Sequence, residues 1–214
     1  LMDEESMKAF GIDPDQEPRV PESTFEQWAT AIPIGTAIAQ SWNPALAQRL
    51  GDIVGAEMER FGVDLWLAPA FNLHRSVLCG RNFEYLSEDP LLAGRIAAAI
   101  THGIQSHPGR GVTIKHLACN NQETMRWVND SRVSQRALRE IYLRGFRICV
   151  ERARPRTVMT SYNKINGQWA HYSYDLATTI LRGEWGYEGL VITDWWMRMA
   201  PDPDFPALRD RAYR

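Results

Sequence analysis

The chain has 214 residues, 44% of them hydrophobic, which is enough to bury the core of one globular domain or two small ones. Its net charge is −2, with Lys and Arg scattered among Asp and Glu, and this excludes the basic surface that binding to nucleic acid or to an anionic membrane requires. No apolar run approaches the ~20 residues that span a bilayer. We therefore expect a globular protein with neither nucleic acid nor membrane as a partner.

The cysteines and the first residues bear on the compartment. Three cysteines without paired spacing predict neither a disulfide framework nor a zinc ribbon: Cys79, Cys119 and Cys149. The first five residues are acidic, whereas a secretion signal is basic and then apolar. Both observations favour a reducing, cytoplasmic compartment. Because the chain begins with Leu1 rather than Met and closes on a polar run, we also expect a piece of a longer protein.

The N-terminal part is predicted to be irregular and then helical. Residues 1–30 are rich in charge and proline without a sustained period, so we interpret them as an irregular segment. Residues 31–39 are compatible with a strand or a packed loop, and Pro33 argues against a central strand. A helix follows, with Asn43 as N-cap, Pro44 as first residue and Gly62 as its end. Its predicted buried face consists of Leu46, Leu50, Ile53, Val54, Met58 and Phe61.

Strands and helices then alternate to residue 196. Strands are predicted at residues 63–69, 111–116, 156–162 and 189–193. Between them lie helices that begin after Asp89, after Ser134 and at about residue 173, with an Asn-Gly turn at 166–167 before the last of them. The strand at 189–193 is strongly apolar and predicts a fully buried strand. Residues 197–214 are predicted to be a loop or tail.

Strand followed by helix at least four times, with no hairpin between, predicts parallel pairing through crossover connections. The predicted fold is therefore α/β, a TIM-type (β/α)8 barrel over residues 31–196. A complete barrel needs about 250 residues. With four clear strands, the barrel is predicted to be incomplete.

Side chains capable of chemistry lie at or just beyond the ends of the predicted strands. They are Asn72, Lys115, His116, Met159, Tyr162 and Asp194. Active sites gather at the carboxyl ends of parallel strands, in barrels and in open sheets alike. Asp194 is the most prominent, since an apolar strand runs directly into it and two tryptophans follow. An acid in this place can also be the N-cap of the next helix, and on these residues alone that alternative stays open.

Five motifs occur in a fixed order along the chain. They are Gly-Arg-Asn-Phe-Glu-Tyr at 80–85 with Ser-Glu-Asp-Pro at 87–90, Lys-His at 115–116, Glu123 with Arg126, Met-Thr-Ser-Tyr-Asn at 159–163 with Asn-Gly at 166–167, and Thr-Asp-Trp at 193–195. Their order and spacing resemble glycoside hydrolase family 3, especially its β-glucosidase branch, over about residues 40–196. The resemblance implies a retaining glycoside hydrolase that acts from the non-reducing end, with a small carbohydrate as its partner and no cofactor.

The same resemblance implies roles for individual residues. Asp194 would be the nucleophile, and the sugar would be bound by Arg81, Lys115, His116, Arg126, Met159, Tyr162 and Trp195. Elementary chemistry agrees, because a buried nucleophilic carboxylate needs nearby cations to stay ionised and forked donors suit a polyol. Structural alternatives stay open: Arg81 and Arg126 as surface ion-pair residues, His116 and Met159 as core residues, and Tyr162 and Trp195 as packing aromatics.

Departures from the family pattern limit what the resemblance implies. Members usually carry an Asp-Gly-Pro segment before the first helix, and Asp13-Pro14 does not match it. The acid/base Glu of the β-glucosidase branch belongs to a second domain, so we expect it outside this chain. The β-N-acetylglucosaminidase branch uses a loop histidine after Lys-His, and here Leu117 and Ala118 follow instead.

Two other hypotheses stay open. The absent Asp-Gly-Pro segment and acid/base residue are compatible with a non-catalytic fragment or sugar-binding remnant. A metal-dependent hydrolase using His116 and Asp194 needs clustered ligands, and the remaining histidines lack ligand-like spacing: His74, His102, His107 and His171. We therefore predict no metal site.

Overall fold

The computed structural model describes residues 27–195. The chain divides into two compact units, Leu1–Thr30 and Ala31–Arg214. Of the first unit only residues 27–30 are described, and they have no regular secondary structure. The irregular segment predicted at 1–30 therefore lies mostly outside the described residues, as does the predicted tail at 197–214.

Parallel strands form the sheet that positions the site. The seven strands of the described residues are β1 (Leu65–Trp66), β2 (Gly111–Leu117), β3 (Asp130–Ser131), β4 (Thr157–Thr160), β5 (Lys164–Ile165), β6 (Gln168–Trp169) and β7 (Leu190–Thr193). The main sheet has the order β1-β2-β4-β7, and every neighbouring pair in it is parallel. The predicted parallel α/β architecture is therefore confirmed.

Helices precede β1 and connect the parallel strands. They are α1 (Gly35–Gln40), α2 (Pro44–Phe61), α3 (Pro90–Gln105), α4 (Gln135–Ala137) and α5 (Arg144–Ala153). Segments with π-type hydrogen bonds occupy Leu138–Tyr142, between α4 and α5, and Asp175–Glu184, before β7. None of the helices in residues 27–195 is both long and apolar enough to cross a membrane.

The predicted helix caps are confirmed. Asn43 Oδ1 accepts a hydrogen bond from the Leu46 N–H at 3.1 Å, and Gly62 ends α2 with a left-handed φ of 68°. Asp89 Oδ1 accepts from the Leu91 N–H at 2.8 Å at the start of α3. Side-chain oxygens at these positions satisfy N–H groups that have no partner within the helix.

Residues 31–34 are irregular, but residues 35–39 form neither the strand nor the loop that was predicted, because Gly35–Gln40 is the short helix α1. Tertiary contacts account for it. A Cβ atom on Gly35 would lie 2.4 Å from the Glu84 carbonyl oxygen, and the Thr36 hydroxyl donates to the carbonyl of Asn82 at 2.8 Å. A six-residue helix is too short for its hydrophobic period to be recognised.

The buried face of α2 also differs from the prediction. Leu46 is 43% exposed and Ile53 42% exposed, whereas Ala47, Gly51, Gly55 and Met58 are buried. Glycines bring α2 and α3 into close contact: a Cβ atom on Gly103 of α3 would lie only 2.1 Å from the Gln48 carbonyl oxygen of α2. The smallest residues therefore face the neighbouring helix, and two large apolar side chains turn outward.

Two predictions for the strands are wrong. β7 is not fully buried, since Leu190 is 59% exposed and the strand pairs only with β4 among the described residues. A small hairpin also interrupts the strand–helix alternation, because β5 pairs antiparallel with β6. Its turn is the predicted one, with φ of 52° at Asn166 and 90° at Gly167, as a two-residue hairpin turn requires.

The hydrophobic core lies between the main sheet and the helices. Its largest fully buried side chains include Phe71, Ile96, Ile104, Ile114, Phe146 and Val158. Val158 belongs to this core, so its neighbour Met159 points to the opposite face of the sheet. Met159 lies opposite Ile192 in the register of β4 with β7.

Candidate active site

Asp194 directly follows β7, and its backbone N–H donates to the carbonyl of Thr160 at 3.2 Å, continuing the pairing with β4. Its Oδ1 accepts a hydrogen bond from the Trp195 N–H at 2.9 Å. Its Oδ2 is buried, has no hydrogen-bond partner among residues 27–195, and lies 3.6 Å from Nε2 of His116. The helix that Asp194 might alternatively cap would lie after Trp195, outside the described residues.

The pKa of Asp194 is raised, chiefly because burial penalises the charged carboxylate. The Trp195 N–H and the positive charges of Arg81, Arg126 and Lys115 act in the opposite direction. These three cations were predicted from the sequence to surround Asp194. The structure brings their charges close enough to act on it.

Two glutamates hold the cations in place. Glu84 accepts a hydrogen bond from Nε of Arg81 and lies 3.9 Å from Nζ of Lys115. Glu123 accepts from Nη1 of Arg126 at 2.7 Å. Burial lowers the pKa of Lys115, and the charge of Glu84 opposes that effect. Both glutamates lie within the sequence motifs, but their role as partners of these cations was not predicted.

His116 is buried at the carboxyl end of β2 and is only 1% exposed. Burial lowers its pKa well below the ordinary value, and the charges of Arg81, Lys115 and Arg126 lower it further. Its backbone and its ring both contact the side chain of Asn72, in the connection after β1. Asn72 was recognised as a polar residue beyond a strand, but sequence alone could not reveal a partner 44 positions away.

The aromatic residues stand beside this group. The Tyr162 ring lies 4.0 Å from the Trp127 ring between centroids, and the Arg126 guanidinium lies 4.8 Å from the centre of the Tyr162 ring. Burial raises the pKa of Tyr162, and the negative charge of Asp194 raises it further. Trp195 contacts Asp194 through its backbone N–H, and the residue is 53% exposed.

Met159 is 2% exposed and lies on the face of β4 away from the hydrophobic core. The structure thus brings Arg81, Lys115, His116, Arg126 and Tyr162 near Asp194. For Met159, the structure gives only its position in β4 and its burial.

The metal hypothesis finds no support in this part of the chain. Within residues 27–195, no three His, Cys, Asp or Glu side chains cluster as metal ligands. His116 and Asp194 lie together, but lysine and arginine side chains complete their surroundings, and positive charge disfavours a bound cation.

Comparisons with known proteins agree on one family. The model of the glycosyl hydrolase family 3 N terminal domain matches residues 21–212. A beta-glucosidase from Ruminococcus albus is 49% identical over 189 residues, which are 86% of this chain and 20% of that protein. An exo-alpha-(1->6)-L-arabinopyranosidase from Bifidobacterium longum is 46% identical over 167 residues, covering 78% of this chain and 22% of that protein.

Solved structures agree with these relatives. Beta-glucosidase 3B from Thermotoga neapolitana, in complex with glucose, is 48% identical and superposes with a TM-score of 0.79 over 86% of this chain and 25% of that one. The chain spans about one fifth of the length of the curated relatives it matches. It belongs to glycosyl hydrolase family 3, and residues 21–212 match that family's N-terminal domain, here an incomplete α/β barrel of the TIM type.

Proposed function

We propose that the protein containing this chain is a retaining glycoside hydrolase that removes sugars from the non-reducing end of β-glucosides, with Asp194 as its nucleophile. One observation carries the proposal. Asp194 presents a buried carboxylate oxygen that has no hydrogen-bond partner among residues 27–195, at the end of a parallel strand and within the field of three cations. A nucleophile needs such an oxygen to be free for attack.

The chemistry requires a covalent intermediate. The Asp194 carboxylate attacks the anomeric carbon, the bond to the leaving-group oxygen breaks, and a glycosyl ester forms on the aspartate. Water then hydrolyses that ester, so two inversions give net retention. The raised pKa of Asp194 makes it a stronger base, and the charges of Arg81, Lys115 and Arg126 limit the rise so that the carboxylate can ionise.

The acid/base residue is proposed to lie outside the described residues. Retention needs a second carboxyl group about 5–5.5 Å from the nucleophile, protonated when the leaving group departs. The glutamates near the cations are already engaged, because Glu84 accepts a hydrogen bond from Arg81 and Glu123 accepts one from Arg126.

The sugar is proposed to be bound by Arg81, Lys115, His116, Arg126 and Tyr162, with Met159 and Trp195 against its ring. Guanidinium and ammonium donors suit hydroxyl groups, and aromatic faces suit pyranose rings. Relatives of similar identity carry names for both β-glucosidase and arabinopyranosidase activity. We propose a β-glucoside because that activity is named for relatives and for solved structures alike.

A mechanism-based 2-fluoro glycoside tests the nucleophile in the full-length protein. The label is expected on the peptide that contains Asp194, and a label on any peptide without it would refute the assignment. Asp194→Gly should abolish turnover of an aryl β-glucoside, and added azide should restore it with an α-glycosyl azide as product. Asp175→Gly is the matched control, since Asp175 is an exposed acid on the segment before β7.

The sugar-binding remnant remains the second candidate, motivated by the absence of the Asp-Gly-Pro segment. It predicts that glucose binds while an activated aryl β-glucoside is not cleaved, although such a leaving group needs little acid assistance. Turnover that disappears in Asp194→Gly and stays in Asp175→Gly excludes the remnant.

A further inference from the structure

The side chain of Asn72 contacts both backbone polar groups of His116, and these contacts fix the orientation of its amide. The His116 N–H, which can only donate, lies 3.0 Å from Oδ1 of Asn72. The His116 carbonyl, which can only accept, lies 2.8 Å from Nδ2. The backbone therefore determines which end of the amide is oxygen, a choice that is otherwise ambiguous for asparagine.

The same amide oxygen lies 3.2 Å from Nδ1 of the His116 ring. Because a carbonyl oxygen only accepts, this contact is favourable only when Nδ1 carries hydrogen. His116 is buried, and burial lowers its pKa well below the ordinary value, so the ring holds a single proton at neutral pH. With that proton on Nδ1, Nε2 is an acceptor.

We propose that Asn72 is a positioning residue that holds His116 in its Nδ1–H tautomer, so that Nε2 accepts a hydrogen bond from a hydroxyl group of the bound sugar. The role toward sugar rests on the proposed function, whereas the tautomer does not. Nε2 lies 3.6 Å from Oδ2 of Asp194, which has no hydrogen-bond partner within residues 27–195. Two acceptors therefore face one another, and neither donates to the other.

This pair of acceptors defines what the site recognises. A hydroxyl oxygen about 2.8 Å from both atoms can share its hydrogen between them. A sugar without that hydroxyl leaves two buried acceptors unpaired, and sites of this kind discriminate strongly against such analogues. The opposite tautomer, with hydrogen on Nε2, would present a donor instead of an acceptor toward Asp194 and could not accept from the sugar hydroxyl.

Nitrogen-15 NMR of the histidine rings tests the tautomer without reference to activity. The chain has five histidines, and the spectrum of His116→Gln assigns the missing pair of signals to His116. We expect Nδ1 in the protonated range and Nε2 in the unprotonated range at neutral pH. Protonation of Nε2 in the unaltered protein overturns the proposal. This measurement does not depend on whether a variant of Asn72 folds.

Substitution of Asn72 tests whether this residue is the cause. Asn72→Ala is expected to shift His116 toward the Nε2–H tautomer, and an unchanged tautomer overturns the proposal. Asn163→Ala is the matched control, because Asn163 is also buried and donates to the Ala118 carbonyl at 3.2 Å rather than to His116. That control should leave the His116 signals in place.

Activity of the full-length protein tests the role toward sugar. We expect kcat/KM for the parent glycoside to fall about 10- to 100-fold in Asn72→Ala. For the one monodeoxy glycoside that lacks the hydroxyl from which His116 accepts, the same substitution should cause a smaller fall. Equal falls for the parent and every monodeoxy glycoside overturn that role. A protein without glycosidase activity overturns the proposed function instead, and the nitrogen shifts still decide the tautomer.

Discussion

The carboxylate of Glu84 contacts both Arg81 and Lys115, so a substitution of Glu84 should change the pKa of Lys115. Glu84 Oε2 lies 3.9 Å from Nζ of Lys115, and the two side chains are 23% and 16% exposed. Coulomb's law at an effective dielectric constant near 20 gives ~4 kcal/mol for this separation. Partial exposure reduces that figure, and couplings measured within ion-pair networks are about 0.5–3 kcal/mol.

Glu84→Gln removes the charge and keeps the shape. Burial already lowers the pKa of Lys115, and loss of the opposing carboxylate lowers it further. In its proposed role Lys115 must be protonated to donate to sugar, so the alkaline limb of kcat/KM should move to lower pH. At the pH optimum we expect kcat/KM to fall about 10-fold, because Arg81 also loses its charged hydrogen-bond partner.

The assay is the pH profile of kcat/KM on an aryl β-glucoside, which reports on groups of the free enzyme. Glu151→Gln is the matched control, because Glu151 accepts from Arg147 at 2.7 Å along α5, in an ion pair outside the site. An alkaline limb that stays where it is in both variants would refute the coupling of Glu84 to Lys115.

Two further predictions concern stability. Gly103→Ala should lower the free energy of unfolding in urea by about 1–3 kcal/mol, because the new Cβ atom would lie 2.1 Å from the Gln48 carbonyl oxygen; an unchanged or higher midpoint would contradict close helix contact. Hydrogen bonds to Asp52 and Glu59 raise the pKa of His107. Its stabilising effect is therefore full below the unfolded pKa of about 6.5 and lost as pH rises through the folded pKa. His107→Gln should accordingly destabilise the protein most at acidic pH. A loss of unfolding free energy that does not change with pH would refute a stabilising role of the ion pairs of His107.

Much of the fold follows from local sequence. Asn43 and Asp89 accept hydrogen bonds from helix N–H groups within three residues, so these caps can be predicted from neighbouring positions in the sequence. Strand followed by helix predicts parallel pairing, and parallel pairing brings the residues at the carboxyl ends of β2 and β7 to one edge of the sheet. This is why Lys115, His116 and Asp194 could be placed together from sequence.

What could not be predicted depends on contacts distant in the chain. The buried face of α2 is set by Gly103 of α3, whose missing side chain allows the helices to touch. β7 has the apolar sequence of a central strand, yet its pairing partners decide its exposure. Asn72 is an ordinary polar loop residue until the fold brings the His116 backbone to it.

The charges around Asp194 show why the site needs its glutamates. Three cations beside a single carboxylate would hold its pKa low, and a weakly basic carboxylate is a poor nucleophile. Glu84 neutralises much of the charge of Arg81 and Lys115, and Glu123 does the same for Arg126. Burial then outweighs the remaining attraction, so the pKa of Asp194 lies above its ordinary value. In the proposed mechanism, the two glutamates leave the cations available to sugar hydroxyls and keep Asp194 basic enough to attack.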